Sequence, residues 1–111
     1  MKELTKAEEL ILVTIWRLGE NAYGVPIKRK IKETTGKDFA YGTLYFLLDQ
    51  LTGKEFVNRI KGDPTPERGG RGKTFYELTP EGMDALKSSV EMHQKVFNGI
   101  ETVIFEKVRN K

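Results

Sequence analysis

The stretch from residue 39 to residue 56, FAYGTLYFLLDQLTGKEF, decides the fold of this chain. Its apolar residues recur at helical spacing, which predicts an amphipathic helix over about residues 41–52. One face of this helix is built from Leu44, Leu47, Leu48 and Leu51. If the leucines are buried, the small and polar residues of the first turn face outward. We therefore predict that this helix presents a contact surface and that the rest of the chain supports it.

Composition indicates a soluble globular protein. The chain has 111 residues, which suits one domain, and 32% of them are charged while 38% are hydrophobic. No apolar run is long enough to span a bilayer, and Glu3, Glu8 and Glu9 interrupt any signal-peptide core. Cysteine is absent, so neither a disulfide framework nor a thiolate metal site is expected. These features predict a cytoplasmic protein with no membrane partner.

The net charge is concentrated in one segment. The whole chain carries +3 with a pI of about 9.1, which is weak support for nucleic-acid binding by itself. Residues 54–73 hold six basic and three acidic residues, a difference that equals the entire net charge.

Two helices are predicted before the central stretch. Residues 4–18 carry an apolar stripe, and Thr5 with Glu8 three positions later matches a capping box. A second helix begins near Tyr23, with Pro26 in its first turn, and stops before Gly36. The short turn from Gly36 to the central helix is typical of a helix-turn-helix.

The segment after the central helix predicts a β-hairpin. Residues 56–61 and 74–79 alternate apolar and polar side chains, as strands do. The twelve residues between them contain two prolines and four glycines, which indicates a loop. We expect a two-stranded wing with a long, basic, glycine-rich tip.

A long C-terminal helix is predicted from Pro80 to about Arg109. Its apolar seam follows a heptad, a pattern that brings two helices together. A helix of ~30 residues is about 45 Å long, more than the preceding residues can cover, so the seam predicts a homodimer. Gly99 marks a close approach or a bend in this helix. The predicted seam starts at Met83, and its interface residues are Leu86, Val90, His93, Phe97, Ile100 and Ile104.

The order of these elements predicts a mainly α (α+β) fold: a winged helix-turn-helix with a two-stranded β-wing and a long C-terminal dimerisation helix. We assign residues 1–79 to a DNA-binding domain and residues 80–111 to the dimerisation helix. Tyr45 has two interpretations, because its spacing of three from Leu48 favours a buried position. Trp16 is either buried by the dimer or lines an effector pocket. The predicted DNA-binding residues are Tyr41, Gly42, Thr43, Tyr45, Arg68, Arg71 and Lys73.

The sequence offers no catalytic, metal or cofactor site. His93 is the single histidine and falls in the heptad, so an interface or core position is favoured over catalysis. Carboxylates are scattered, without the clustering that a metal needs. Gly72-Lys73-Thr74 resembles the end of a P-loop, but Glu67 stands where that motif requires glycine.

Three stretches together resemble the PadR family of bacterial transcriptional regulators. They are Tyr23-Gly24, the segment YGTLY at 41–45, and GGRGKTFYELTPEG at 69–82. The single C-terminal helix resembles the short subfamily. The resemblance implies a dimeric winged-helix repressor that binds a near-palindromic operator in double-stranded DNA, with recognition helices in the major groove and wings alongside. It also implies either release by a small aromatic or drug-like effector or action as a local autoregulator.

Two positions depart from the family pattern. Glu55 precedes the apolar pair Phe56-Val57, where the family usually has glycine, and Gly72 stands where many members carry a basic residue. The first departure predicts an unusual end to the central helix. An alternative function stays open from the sequence, a dimeric protein-interaction module that uses a winged helix without binding DNA.

Overall fold

The computed structural model describes residues 3–62 and 72–109. The fold class predicted from the sequence is confirmed: helices dominate, and one antiparallel hairpin follows the third helix. In chain order, the elements are α1 (Lys6–Leu18), a 3₁₀ turn (Gly19–Asn21), α2 (Gly24–Thr35), α3 (Tyr41–Gly53), β1 (Val57–Lys61), β2 (Thr74–Leu78), α4 (Pro80–Phe97) and α5 (Ile100–Arg109).

The start of α1 is fixed by the predicted capping box. The Thr5 hydroxyl accepts a hydrogen bond from the Glu8 amide at 3.1 Å, and the Glu8 carboxylate accepts one from the Thr5 amide at 2.9 Å. The second carboxylate oxygen of Glu8 accepts a bond from Lys54 Nζ at 2.6 Å. This partly buried ion pair joins the first turn of α1 to the residue that follows α3.

Burial alone would raise the pKa of Glu8, but the hydrogen bonds from Lys54 and Thr5 outweigh it and hold the pKa below its usual value. The carboxylate therefore stabilises the fold at pH values above its ordinary pKa. This contribution is lost as the pH falls through the lowered pKa, because the protonated group no longer attracts Lys54.

The hydrophobic core lies between α1, α2 and α3 and is closed by the hairpin. The leucine face of α3 is buried as predicted at Leu44, Leu48 and Leu51, and Leu47 packs against the core while partly exposed. Gly36 caps the end of α2, and its φ of 78° is the left-handed conformation that commonly ends helices. Other core residues are Ile11, Leu12, Ile15, Ala22, Ile27, Ile31, Phe39, Phe56, Val57, Tyr76 and Ala85.

We use the term wing for β1, β2 and the residues between them. The two strands pair antiparallel, with Val57 opposite Leu78 and Lys61 opposite Thr74. Each strand is one residue shorter than predicted. The Tyr76 amide also donates to the Ala22 carbonyl at 2.8 Å, so the chain between α1 and α2 adds a third pairing segment to the wing.

The turn that enters β1 is held by the start of α4. Glu55 has a φ of 65°, the left-handed conformation that favours glycine. Its carbonyl accepts a hydrogen bond from the Thr79 hydroxyl at 2.6 Å. A Cβ atom at Gly82 would lie 2.0 Å from the Phe56 carbonyl oxygen, so only glycine permits this contact. Glu55, which departs from the family pattern, therefore occupies a position whose backbone conformation favours glycine.

The prediction of one continuous C-terminal helix from Pro80 to about Arg109 was wrong. The helix breaks at Asn98 and Gly99, and Gly99 has a φ of 78°, so α4 and α5 are separate helices. Glycine has no side chain to resist this conformation, and the bend anticipated at this position becomes a complete interruption. Ile100 and Ile104 consequently lie on a different helix from Val90 and Phe97.

We predict that Glu55→Gly stabilises the protein by about 1 kcal/mol. The left-handed conformation costs an L-residue ~1–2 kcal/mol, and the greater freedom of glycine in the unfolded chain offsets only part of that gain. Urea unfolding with an unchanged slope measures the difference. Glu55→Ala is the matched control, because it removes the charge but keeps Cβ. Equal stability of the two variants would contradict the strain at this position.

Candidate nucleic-acid interface

The buried leucines of α3 determine which of its residues face solvent. The side opposite the core combines residues of the predicted first turn with others farther along the helix. Phe46 stands out among them, since 60% of its surface is exposed. Sequence reasoning overlooked this residue, although the phase of the leucines places it on the outer side. The exposed residues of α3 are Tyr41, Gly42, Thr43, Tyr45, Phe46, Asp49, Gln50 and Gly53.

Tyr45 is half exposed, and its hydroxyl touches another helix. Its exposed fraction is 42%, so the interpretation as a core aromatic does not hold. The ring stacks on that of Tyr41, with centroids 6.2 Å apart. A Cβ atom at Gly24 would lie 2.1 Å from the Tyr45 hydroxyl oxygen. Gly24 thus makes room for Tyr45 where α2 begins, which gives a physical reason for the Tyr23-Gly24 pair.

An ion pair supports the turn that leads into α3. Lys28 Nζ lies 2.5 Å from Asp38 Oδ1 and 5.3 Å from the centre of the Tyr41 ring. The hydrogen bond from Lys28 lowers the pKa of Asp38. Lys28 therefore connects α2 to the turn before α3 and to the ring of Tyr41 in its first turn.

Lys73 lies at the base of the wing and next to α2. Its Nζ is 4.2 Å from the centre of the Tyr23 ring, within the range of a cation–π contact. Tyr23 in turn packs edge to face against Phe75, with centroids 5.4 Å apart. A groove of about 440 Å³ runs between the wing, α2 and α3. Its lining includes Tyr23, Gly24, Tyr45, Arg59, Lys61 and Lys73.

Arg59 joins the wing to the outer side of α3. Its guanidinium lies 3.1 Å from Asp49 Oδ1, so the single acidic side chain of α3 is paired with a cation. Opposite Arg59 on β2, burial raises the pKa of Tyr76 above its usual value, and the phenol stays neutral. Neither Arg59 nor Asp49 was predicted as a site residue, because the two lie ten positions apart in the chain and on different elements.

Two predicted wing residues, Arg68 and Arg71, lie outside the described residues. Lys73 is therefore the one predicted wing cation whose position is known. Together with Tyr41, Gly42, Thr43 and Tyr45, it lies on the side of the molecule formed by α3, the start of α2 and the wing.

The predicted interface residues of the C-terminal region lie on two helices. Leu86 is half buried and packs against the core of its own chain. His93 Nε2 lies 3.0 Å from Glu9 Oε2 on α1, and its ring stacks on Phe97. The remaining residues are exposed, namely Val90 and Phe97 on α4 and Ile100 and Ile104 on α5.

Trp16 lines an open groove on the other side of the wing. Its side chain is 58% exposed, and the groove has a volume of about 620 Å³. Ile60 and Phe75 of the wing form one wall, and Glu20 and Glu77 are also among the lining residues. Both interpretations of Trp16 therefore remain compatible with its position.

The described residues provide little for other classes of site. Within 3–62 and 72–109, no group of three or more histidine, cysteine, aspartate or glutamate residues could hold a metal ion. In the same residues, no helix combines the length and apolar character needed to cross a bilayer.

Comparison with solved structures finds the same fold elsewhere. RosR of H. salinarum is 26% identical, with 99% of this chain and 98% of RosR covered and a TM-score of 0.69. A PadR-like transcriptional regulator of Bacillus cereus is 18% identical over 88% of this chain and 90% of its own, with a TM-score of 0.72. A PadR family regulator of Clostridium difficile is 22% identical over 91% and 97%, with a TM-score of 0.62. The last two support the fold alone.

Comparison with sequences identifies the family. No curated protein matches the chain significantly. The model of the transcriptional regulator PadR-like family matches residues 11–88, which include α2, α3, the wing and the first half of α4. Because this match covers more than half of the sequence and the fold agrees with it, the chain belongs to the transcriptional regulator PadR-like family and is a DNA-binding regulator.

Proposed function

We propose that this protein is a homodimeric, sequence-specific repressor that binds a near-palindromic operator and is released by a small aromatic effector. In this proposal, residues 1–79 bind DNA and residues 80–111 dimerise. The observation that carries it is the exposed side of α3 between two sources of positive charge. One is the pair Lys28 and Lys32, which share the single carboxylate of Asp38 beside Tyr41, and the other is Lys73 beside Tyr23.

The width of the major groove suits α3. A helix with its side chains is ~10–12 Å across, and the major groove of B-DNA is about 12 Å wide. With α3 in that groove, its first turn contacts base edges. The cations on either side then approach the phosphates, and counterion release adds affinity that does not depend on sequence.

Unpaired apolar side chains support the homodimer. α5 contains no buried residue, so its large apolar side chains, among them Ile100 and Ile104, are exposed to solvent. Val90 lies beside an apolar groove of about 240 Å³ between α1, α2 and α4, lined also by Leu10 and Val13. A second copy that covers these surfaces by twofold symmetry removes them from water. Two recognition helices then reach half-sites about one helical turn apart.

The Trp16 groove supports an effector. Its volume of about 620 Å³ falls within the ~300–1,000 Å³ typical of small-molecule sites. Because Ile60 and Phe75 form one wall, a bound ligand touches the wing directly. Glu20 and Glu77 favour an aromatic ligand with positive charge over a neutral one.

We predict that Lys73→Ala weakens binding to all DNA sequences. Loss of one phosphate contact lowers the slope of log affinity against log salt by about 1. The same result is expected for Arg71→Ala. Gel-shift titration at several salt concentrations, with DNA from the chain's own upstream region, measures the slope.

Lys87→Ala is the matched control, since Lys87 is an exposed lysine on α4, away from α3 and the wing. An unchanged slope in both the Lys73 and Arg71 variants would remove the wing from the DNA interface. Absence of salt-sensitive binding by the unmodified protein would instead favour the protein-interaction module.

For the dimer, Ile104→Glu is expected to shift the protein to a monomer, because it places a charge in the proposed apolar interface. Sedimentation at several concentrations measures the mass. Thr102→Glu is the matched control, since Thr102 lies on the opposite side of α5. A monomeric wild-type protein, or the same mass for both variants, would contradict this interface.

For the effector, saturable quenching of Trp16 fluorescence is expected with N-methylquinolinium and weaker quenching with neutral quinoline. The chain has one tryptophan, so the signal reports this groove alone. Glu77→Gln should reduce the affinity for the cation several-fold and leave quinoline binding unchanged. If neither these probes nor a broad panel of planar aromatics quenches saturably, the groove is not an effector site.

A further inference from the structure

Phe46 is a large apolar side chain on the outer side of α3, the helix proposed to enter the major groove. It is the sixth residue of α3, and 60% of its surface is exposed. Tyr41 and Tyr45 stack on each other, whereas no aromatic or cation–π contact involves Phe46 within the described residues. A single exposed apolar side chain is ordinary on a protein surface, but on the outer side of the helix proposed to enter the groove it faces the molecule that α3 binds.

The surface beside Phe46 is open. One turn before it, Gly42 has no side chain, and nothing lies within 4 Å of the position where its Cβ would be. The backbone of α3 can therefore approach a base pair closely at Gly42. Phe46 then projects toward the next base pairs along the groove.

The chemistry of the phenyl ring restricts what it can recognise. It has no donor or acceptor for the polar base edges, and a phosphate gains nothing from it. In the major groove, the one apolar group on the base edges is the C5-methyl of thymine. A wedge between bases of the minor groove does not fit, because α3 is ~10–12 Å across and that groove is about 6 Å wide.

We infer that Phe46 is a specificity-determining residue that reads thymine, by packing its ring against a C5-methyl group in each half-site of the operator. This inference rests on the proposed function, since it needs α3 in the major groove. The surrounding charge agrees with a DNA partner rather than a protein with an apolar surface, because Arg59 neutralises Asp49, and Lys28 and Lys32 together outnumber their shared partner Asp38.

The first experiment selects bound duplexes from a random-sequence DNA library with wild-type, Phe46→Ala and Phe46→Leu proteins. The wild type should enrich an A·T pair at one fixed position per half-site. Phe46→Ala should lose that preference and keep the others, while Phe46→Leu keeps it, because leucine retains an apolar contact. Thermal unfolding checks that all three proteins fold, as expected for an exposed position.

The second experiment replaces thymine by deoxyuridine at that position, which removes only the methyl group. Wild-type binding should weaken by about fourfold, the ratio expected for one buried methyl group, and Phe46→Ala should bind both duplexes equally. Equal binding of both duplexes by the wild type, or the same loss in both proteins, overturns the inference and leaves the repressor proposal intact. If the wild type enriches no sequence, the proposed function fails and this inference fails with it.

Discussion

The packing of three leucines determines how this protein presents itself to DNA. Leu44, Leu48 and Leu51 are fully buried against the helices before them, which fixes the rotation of α3 about its axis. Because side chains of a helix repeat every 3.6 residues, that rotation also fixes which residues point outward. The Glu8–Lys54 ion pair then holds the end of α3 against the start of α1, so rotation or sliding of the helix would break a partly buried, charged contact.

Features that depend on neighbouring residues could be predicted from the sequence. The capping box needs only Thr5 and Glu8, and the leucine face needs only spacing within one helix. The strands and the left-handed ending at Gly36 follow from equally local patterns. Contacts between elements leave no such local pattern in the sequence. The Arg59–Asp49 ion pair and the contact of the Tyr45 hydroxyl with Gly24 are seen only once the elements are packed.

The C-terminal region illustrates a different limit of sequence reasoning. A heptad of apolar residues indicates which side chains pack against a partner. It does not show that the helix which carries them is continuous. Gly99 interrupts the helix while leaving the spacing of Phe97, Ile100 and Ile104 unchanged. The apolar residues still need a partner, so the proposal of a second copy survives. Its geometry is that of two shorter helices rather than one rod.

The contact between Gly82 and Phe56 has a mechanical consequence. At most positions a side chain separates two elements, and rotation of that side chain absorbs small movements. Here the backbone of α4 rests directly on the backbone that enters β1, and the Thr79 hydroxyl locks the Glu55 carbonyl beside it. Nothing compressible lies between them. A tilt of α4 is therefore transmitted directly to the wing, and in the proposed dimer this contact links the spacing of the two subunits to the angle of the hairpin.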